Sequence, residues 1–357
     1  MSHFAARLVQ WQRVHGRHHL PWQGTRDPYR VWLSEIMLQQ TQVTTVLAYF
    51  ARFVQRFPTV HALASASLDE VLGQWSGLGY YRRARNLHRC AIDIVALHGG
   101  MFPGSAESLQ LLPGIGRSTA AAIASLCFDE RVAILDGNAK RVLTRFLGFD
   151  ADLGVARHEH RLWQAATRLL PQDGVPELMA HYTQGLMDLG ATVCTVRNPA
   201  CADCPIQGHC VARILGQTTA FPARSVPGKR GSQAIWLLLA RAPDAGIWLR
   251  QRPGTGVWAG LYCPAWFDSR AELVAAVPPR HVARLQDQPV IRHVLTHKDL
   301  LLHPVTARLP RSASVLGGGA WVRAGQWQHL GLPAPVRHLL LDVAEPTGIR
   351  ARGVGSG

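Results

Sequence analysis

Cys194-x6-Cys201-x2-Cys204-x5-Cys210 gathers four of the seven cysteines into 17 residues, and no other feature constrains the chain so tightly. Four thiolates in one compact loop suit either tetrahedral zinc or a cubane iron–sulfur cluster. Zinc sites commonly join two close pairs, whereas this run has a single C-x2-C beside two solitary cysteines. The longer spacings fit a chain wrapped around a bulkier [4Fe-4S] cluster, with zinc as the alternative. A four-cysteine set leaves no open coordination position, so the expected role is structural first and redox second. Cys90, Cys127 and Cys263 stand outside the run and read as small buried hydrophobes. With no run of 18 apolar residues and no apolar segment among Arg7, Arg13 and Arg17, neither a spanning helix nor a signal peptide is expected. A cytoplasmic, reducing location follows, and a disulfide framework does not.

The chain has 357 residues, enough for two or three domains with their own cores, and 47% hydrophobic residues argue against disorder. Lys and Arg number 38 against 23 Asp and Glu, a net charge of +15. Lysine occurs only at Lys140, Lys229 and Lys298, so the charge is almost all arginine. Arginine binds phosphate through a planar fork, and the excess points to a polyanionic partner, nucleic acid first. An arginine-rich genome would give the same composition without such a partner.

Residues 1–222 read as helical. Asp27-Pro28 caps a helix running through Trp32, Ile36 and Leu38, and Ser67-Leu68-Asp69-Glu70 is a capping-box pattern closed by Gly77. Tyr80 to His98 is amphipathic, with Arg82, Arg83, Arg85 and Arg89 opposite Leu87, Ile94 and Leu97. Further helices are expected over Ala139–Leu147, His158–Leu170 and Glu177–Leu189. After a basic linker (223–232) the texture changes to strands at Ile235–Ala240, Ile247–Arg250, Val290–Val294 and Leu300–Val305, punctuated by Gly and Pro. The first 222 residues hold 21 basic against 16 acidic side chains, the rest 17 against 7, so the smaller half is the more basic.

Leu112-Pro113-Gly114-Ile115-Gly116-Arg117-Ser118-Thr119 separates a short helix from an apolar one. Gly114 and Gly116 in a tight turn would point backbone N–H groups outward at a helix N-terminus, a cradle for a phosphate that reads no sequence. Glu35 sits in the apolar Trp32–Leu38 stretch, where desolvation would favour its protonated form; a solvated surface glutamate is the plainer alternative. Asp136 follows the apolar Val132–Leu135 and would cap the helix starting near Ala139, one oxygen remaining free.

Together with Leu20-Pro21-Trp22, Trp32-Leu33-Ser34-Glu35-Ile36-Met37-Leu38-Gln39-Gln40-Thr41, Gly77-Leu78-Gly79-Tyr80-Tyr81 and Leu135-Asp136-Gly137-Asn138, these motifs resemble the helix-hairpin-helix DNA glycosylase superfamily, and within it the adenine DNA glycosylases. The resemblance covers residues 20–210 almost without a gap. It implies a multidomain chain: an all-α helix-hairpin-helix glycosylase module with an iron–sulfur cluster loop, plus an α/β Nudix-like C-terminal domain. The module would comprise a six-helix part at about 22–135 and a cluster part from 1–21 and 136–222. The implied activity is excision of adenine opposite 8-oxoguanine or guanine in double-stranded DNA, by a monomer associated with the bacterial nucleoid. Glu35 would protonate the leaving base, and the Asp136 carboxylate would stabilise the cationic sugar. Gln40 and Tyr80 would enter the duplex, and Ser118 would line the adenine pocket. Lys140 would contact a phosphate or be trapped on an abasic sugar.

Relatives of the endonuclease III type carry a Schiff-base lysine where this chain has Ser118, so β-elimination is not expected to be efficient. The competing functions are such a pyrimidine glycosylase/lyase and a non-catalytic iron–sulfur DNA-binding protein. Residues 233–345 resemble the Nudix-like domain of the family. Asp268 to Ala276 lacks the Glu-rich helix of active Nudix enzymes, so pyrophosphatase activity is not expected. The lesion-reading Phe-Ser-His loop has become Leu295-Thr296-His297, which keeps a hydroxyl and a histidine but loses the aromatic ring.

Overall fold

Local capping signals translate directly into helices in the computed structural model, which describes residues 3–172, 177–223, 230–244, 246–296, 298–312, 318–323 and 325–344. In chain order the first helices are α1 (His3–His15), α2 (Pro28–Leu38), α3 (Val43–Arg56), α4 (Val60–Ser65), α5 (Leu68–Trp75) and α6 (Arg82–His98). They are followed by α7 (Ala106–Leu109), α8 (Arg117–Phe128), α9 (Gly137–Leu147), α10 (Ala156–Arg168), α11 (Leu178–Thr192) and α12 (Val211–Ile214). Asp27 accepts from Tyr29 N at 2.9 Å and Ser67 from Glu70 N at 3.2 Å, the caps expected of those side chains.

The chain divides into two compact units. One comprises Met1–Ser65 with Asn86–Pro227, the other Ala66–Arg85 with Gly228–Gly357. The stretch 66–85, helical and inside the first 222 residues, thus groups with the C-terminal part.

In the first unit, α1, α8, α9, α10 and α11 share one core around Leu8, Ala121, Val142, Leu143, Leu162, Tyr182 and Leu186. Alanines at 120–122 and 124 keep α8 thin, so α2 and α11 both pack against it. Gly190 does the same for α9: a Cβ there would lie 2.6 Å from Asn138 Cβ, so only glycine admits the first turn of α9 so closely.

The second unit adds a mixed sheet of β1 (Gly231–Arg241), β2 (Ile247–Gln251), β3 (Tyr262–Cys263), β4 (Ala265–Phe267), β5 (Gln286–Asp287), β6 (Ile291–Val294), β7 (Lys298–Arg308) and β8 (Ala320–Val322). Three helices accompany it: α13 (Arg270–Ala276), α14 (Pro279–Val282) and α15 (Ala334–Ala344). The path runs β3-β2-β1-β7-β5; β1 and β7 are parallel in register from Gly231↔Lys298 to Arg241↔Arg308, and the other pairings are antiparallel. Period-2 alternation splits β1 between two cores. Ile235, Leu237 and Leu239 meet Val336 and Leu340 of α15, while Leu238 and Ala240 meet Leu273 of α13.

Arg83 and Arg85 depart from a solvated helix face. Arg83 is buried and donates to Leu78 O (3.4 Å) and Gly79 O (3.2 Å), while its guanidinium lies 5.4 Å from the centroids of both the Trp75 and Tyr80 rings. Arg85 is half-buried and donates to Ala259 O.

Candidate active site

Glu35 lies on α2 between Ser34 and Ile36, both buried, and is itself half-buried. Loss of hydration pushes its carboxyl up to about 8, and the negative charge of Asp136 adds to the effect. The thiol of Cys127 is within electrostatic reach, but burial pushes it up to about 12, so it brings no charge at neutral pH. Asp136 caps α9: Oδ1 accepts from Ala139 N at 2.7 Å, leaving Oδ2 outside that bond. The two carboxyls interact, and Glu35 is the one whose surroundings hold it protonated near neutral pH.

The hairpin between α7 and α8 supports the same region. Gly114 has φ +79°, and a Cβ on it would press on Asn86 Cβ at 2.7 Å, so glycine is required twice over. Gly116 caps α8, and a Cβ there would meet nothing within 4 Å, which leaves the first amides of α8 open on that side. Ser118 Oγ accepts from Leu135 N at 3.2 Å and so braces the residue before Asp136. Gln40, just past α2, is exposed with φ +54°, a left-handed backbone that costs a non-glycine residue about 1 kcal/mol. Lys140 Nζ pairs with Glu159 Oε1 at 2.6 Å.

Cys194, Cys201, Cys204 and Cys210 line one open pocket with Val142, Arg145, Val193 and Ile206. Among the described residues, no three His, Cys, Asp or Glu side chains group closely enough to hold one metal ion. Thiols spread around a shared cavity suit a multi-iron group better than a single ion. Burial pushes Cys204 up to about 12 and raises Cys210, so these thiols need a cationic group to ionise.

In the second unit Tyr80 also has a left-handed backbone (φ +49°) and is 47% exposed. Its Oη lies 3.3 Å from Thr296 Oγ1, in the turn between β6 and β7. Leu295 packs against the α15-side core, whereas Thr296 is exposed. His297 lies outside the described residues.

Residues 33–168 match the HhH-GPD superfamily of base excision DNA repair proteins, 194–210 the iron–sulfur binding domain of endonuclease III, and 235–342 the NUDIX domain. An adenine DNA glycosylase of Buchnera aphidicola subsp. Acyrthosiphon pisum is 33% identical over 342 residues, 94% of this chain and 96% of the relative. The chain belongs to the adenine DNA glycosylase family. The adenine DNA glycosylase of Mus musculus is 45% identical over 233 residues, 62% of this chain and 44% of the relative. A thermostable thymine-DNA glycosylase of known structure aligns at TM-score 0.53 and 26% identity, over 59% of this chain and 95% of its own.

Two arginines that brace the cysteine loop of this glycosylase escape a reading of the sequence. Arg141 donates to Asn138 Oδ1 (2.8 Å), Gly190 O (2.6 Å) and Cys194 O (2.7 Å). Arg145, one turn later, donates to Cys194 Sγ (3.3 Å), Thr195 O (2.7 Å), Val196 O (3.1 Å), Thr218 O (2.9 Å) and Phe221 O (3.2 Å). Helix α9 therefore carries Asp136 at its N-terminus and grips the cluster loop farther along. The only hint in the sequence is the i, i+4 spacing of the two arginines on an otherwise ordinary amphipathic helix.

Proposed function

We propose that this glycosylase removes adenine mispaired with 8-oxoguanine, or with guanine, from double-stranded DNA and acts as a monomer at the bacterial nucleoid. Membership of the family makes the chain a base excision repair hydrolase of N-glycosyl bonds, with DNA as its partner. The observation that carries the mechanism is the Glu35–Asp136 pair: a carboxyl held protonated near neutral pH, within electrostatic reach of a second carboxyl that caps α9 through one oxygen and keeps the other outside that bond. The extruded adenine accepts a proton from Glu35 at N7, which makes it a neutral leaving group. The Asp136 carboxylate faces the sugar, where positive charge develops as the bond breaks. Glu35, now ionised, takes a proton from the water that adds to the anomeric carbon.

Gly114 and Gly116 present backbone amides to a phosphate, and Gln40 and Tyr80 enter the stack from strained, exposed positions. Ser118 supports the pocket wall through Leu135. Lys140 is drawn to a phosphate when it leaves Glu159. The four cysteines would hold a [4Fe-4S] cluster, which when bound supplies iron–thiolate cross-links through the loop and a redox couple. Among the described residues no helix is long and apolar enough to cross a membrane. The second unit reads the opposite base through Thr296 and His297. We assign it no pyrophosphatase role: α13 contains one glutamate, Glu272, whose carboxylate accepts from Asp268 N at 3.1 Å as part of a helix cap.

The test is base release from duplexes with adenine opposite 8-oxoguanine, guanine or cytosine. Adenine should leave fastest opposite 8-oxoguanine, with strands breaking only after alkali; nicking without alkali would favour the lyase, and binding without release a non-catalytic role. Thr296→Ala should reduce the preference for 8-oxoguanine over guanine roughly 5- to 10-fold, the worth of about one hydrogen bond. An unchanged preference in that variant removes Thr296 from lesion reading.

A further inference from the structure

The loop Gly77–Tyr81, which carries the exposed Tyr80, is held by an unusual set of contacts. It belongs to a stretch, Ala66–Arg85, that packs as one unit with the sheet carrying Thr296, whereas Glu35 and Asp136 belong to the other unit. Three polar ties fasten that stretch. Asp69 of α5 accepts from Tyr262 Oη (2.9 Å) and Gln251 Nε2 (3.2 Å). Ser76 Oγ, buried, donates to Leu332 O (3.0 Å) and accepts from Arg337 Nη2 (2.8 Å). Tyr81 Oη donates to Leu332 O (2.6 Å).

Beneath these ties the backbones meet without side chains between them. A Cβ on Gly73 would lie 2.2 Å from His329 O, and one on Gly331 would lie 2.6 Å from Leu72 Cβ. Within the loop, Trp75 Nε1 and Arg83 Nη2 both donate to Gly79 O, at 3.1 and 3.2 Å. A left-handed tyrosine persists only where its surroundings over-determine it, and the stretch that supplies them, Trp75 to Arg83, is itself fastened by the C-terminal residues.

We infer that Asp69, Gly73, Ser76, Tyr262, Gly331 and Arg337 are positioning residues for Tyr80, so that the lesion-reading unit sets where the duplex wedge stands. The inference rests on the proposed entry of Tyr80 into DNA. Reading the opposite base and opening the stack then share one rigid support, and a change far from both sites disturbs adenine release through Tyr80.

A double-mutant cycle tests this on the full chain, with single-turnover adenine release from an A:8-oxoguanine duplex and amide exchange at residues 77–81 as readouts. Gly73→Ala should slow release roughly 10- to 100-fold when Tyr80 is present, the penalty for a displacement of about 1 Å. In the Tyr80→Ala background it should slow release less than about threefold, because the group it misplaces is already gone. It should also speed exchange at 77–81. Equal slowing in both backgrounds, or unchanged exchange, overturns the inference.

Should Gly73→Ala fail to fold, Asp69→Ala takes its place, and Asp69→Asn, which still accepts from Tyr262, should restore the rate. If Tyr80→Ala alone releases adenine at the normal rate, the wedge role itself is wrong. The exchange data then still decide whether the C-terminal residues hold the loop.

Discussion

Glu35→Gln should lose adenine excision by about 10³-fold or more while binding the mispaired duplex with near-normal affinity. The amide keeps the shape and some of the hydrogen bonding of the acid but has no proton to give at N7. Single-turnover base release checks the first half and a duplex titration the second; retained turnover would remove Glu35 as the acid. The wild-type rate should fall as pH rises through about 8, where Glu35 gives up its proton, and this limb should vanish in the residual activity of the variant.

The same substitution should stabilise the protein. Glu35 is raised in the folded state above the ordinary carboxylate value, chiefly by burial and then by Asp136. Between that ordinary value and about 8 the folded chain therefore binds more protons than the unfolded one, and stability falls as pH rises through this window. Glutamine removes that liability. The gain should be absent below about pH 4, where both states are protonated, and largest at pH 8 and above. Because Glu35 is only half-buried, about 2 kcal/mol is expected at pH 8, or roughly 4–8 °C in Tm. Equal melting of the two proteins at pH 8 would mean that the carboxyl is not held protonated by its surroundings. A stabilising Glu35→Gln that also loses excision would mark a site arranged for chemistry rather than for stability.

What local signals govern was legible in the sequence. Asp27, Ser67 and Asp136 cap helices because a short polar side chain can reach the free amides of a first turn whatever lies farther off. Gly114 needs its positive φ and Gly116 its open side for reasons contained within five residues. The strands β1, β2 and β7 showed through their apolar runs. By contrast β3, β4, β5 and β8 span two or three residues, too few for any alternation to appear. The grouping of 66–85 with the sheet depends on pairs such as Asp69–Tyr262, 193 positions apart, which no window along the chain can contain. Arg83 looked like one more charge on an amphipathic helix. Its burial depends on Trp75, Gly79 and Tyr80 folding back over it. The raised Glu35 is intermediate: an apolar stretch suggested it, but the added push from Asp136 comes from a residue 101 positions away that only the fold brings within electrostatic reach.

Arg145 carries the second large effect. Arg145→Leu should abolish iron retention and lower Tm by roughly 10 °C, although the residue touches neither base nor sugar. Arg145 is 3% exposed, and its guanidinium fills its donors with the carbonyls of Thr195, Val196, Thr218 and Phe221 and with Cys194 Sγ, while its own carbonyl accepts from Cys210 Sγ at 3.4 Å. Leucine fills the space but satisfies none of these acceptors. At about 1 kcal/mol for each carbonyl left bare, the loss is on the order of 3–5 kcal/mol. Lysine offers a compact charge with three donors and cannot span both sides of the loop, so Arg145→Lys should recover only part of the stability and iron. Cys201→Ala makes the informative contrast. It removes a cluster ligand and spares every one of these hydrogen bonds, so it should also lose iron but melt higher than Arg145→Leu. If instead the two variants melt together, the cluster itself holds the loop and the arginine merely accompanies it. If Arg145→Leu keeps its iron, the carbonyl braces are dispensable and α9 does not hold the cluster loop through this side chain.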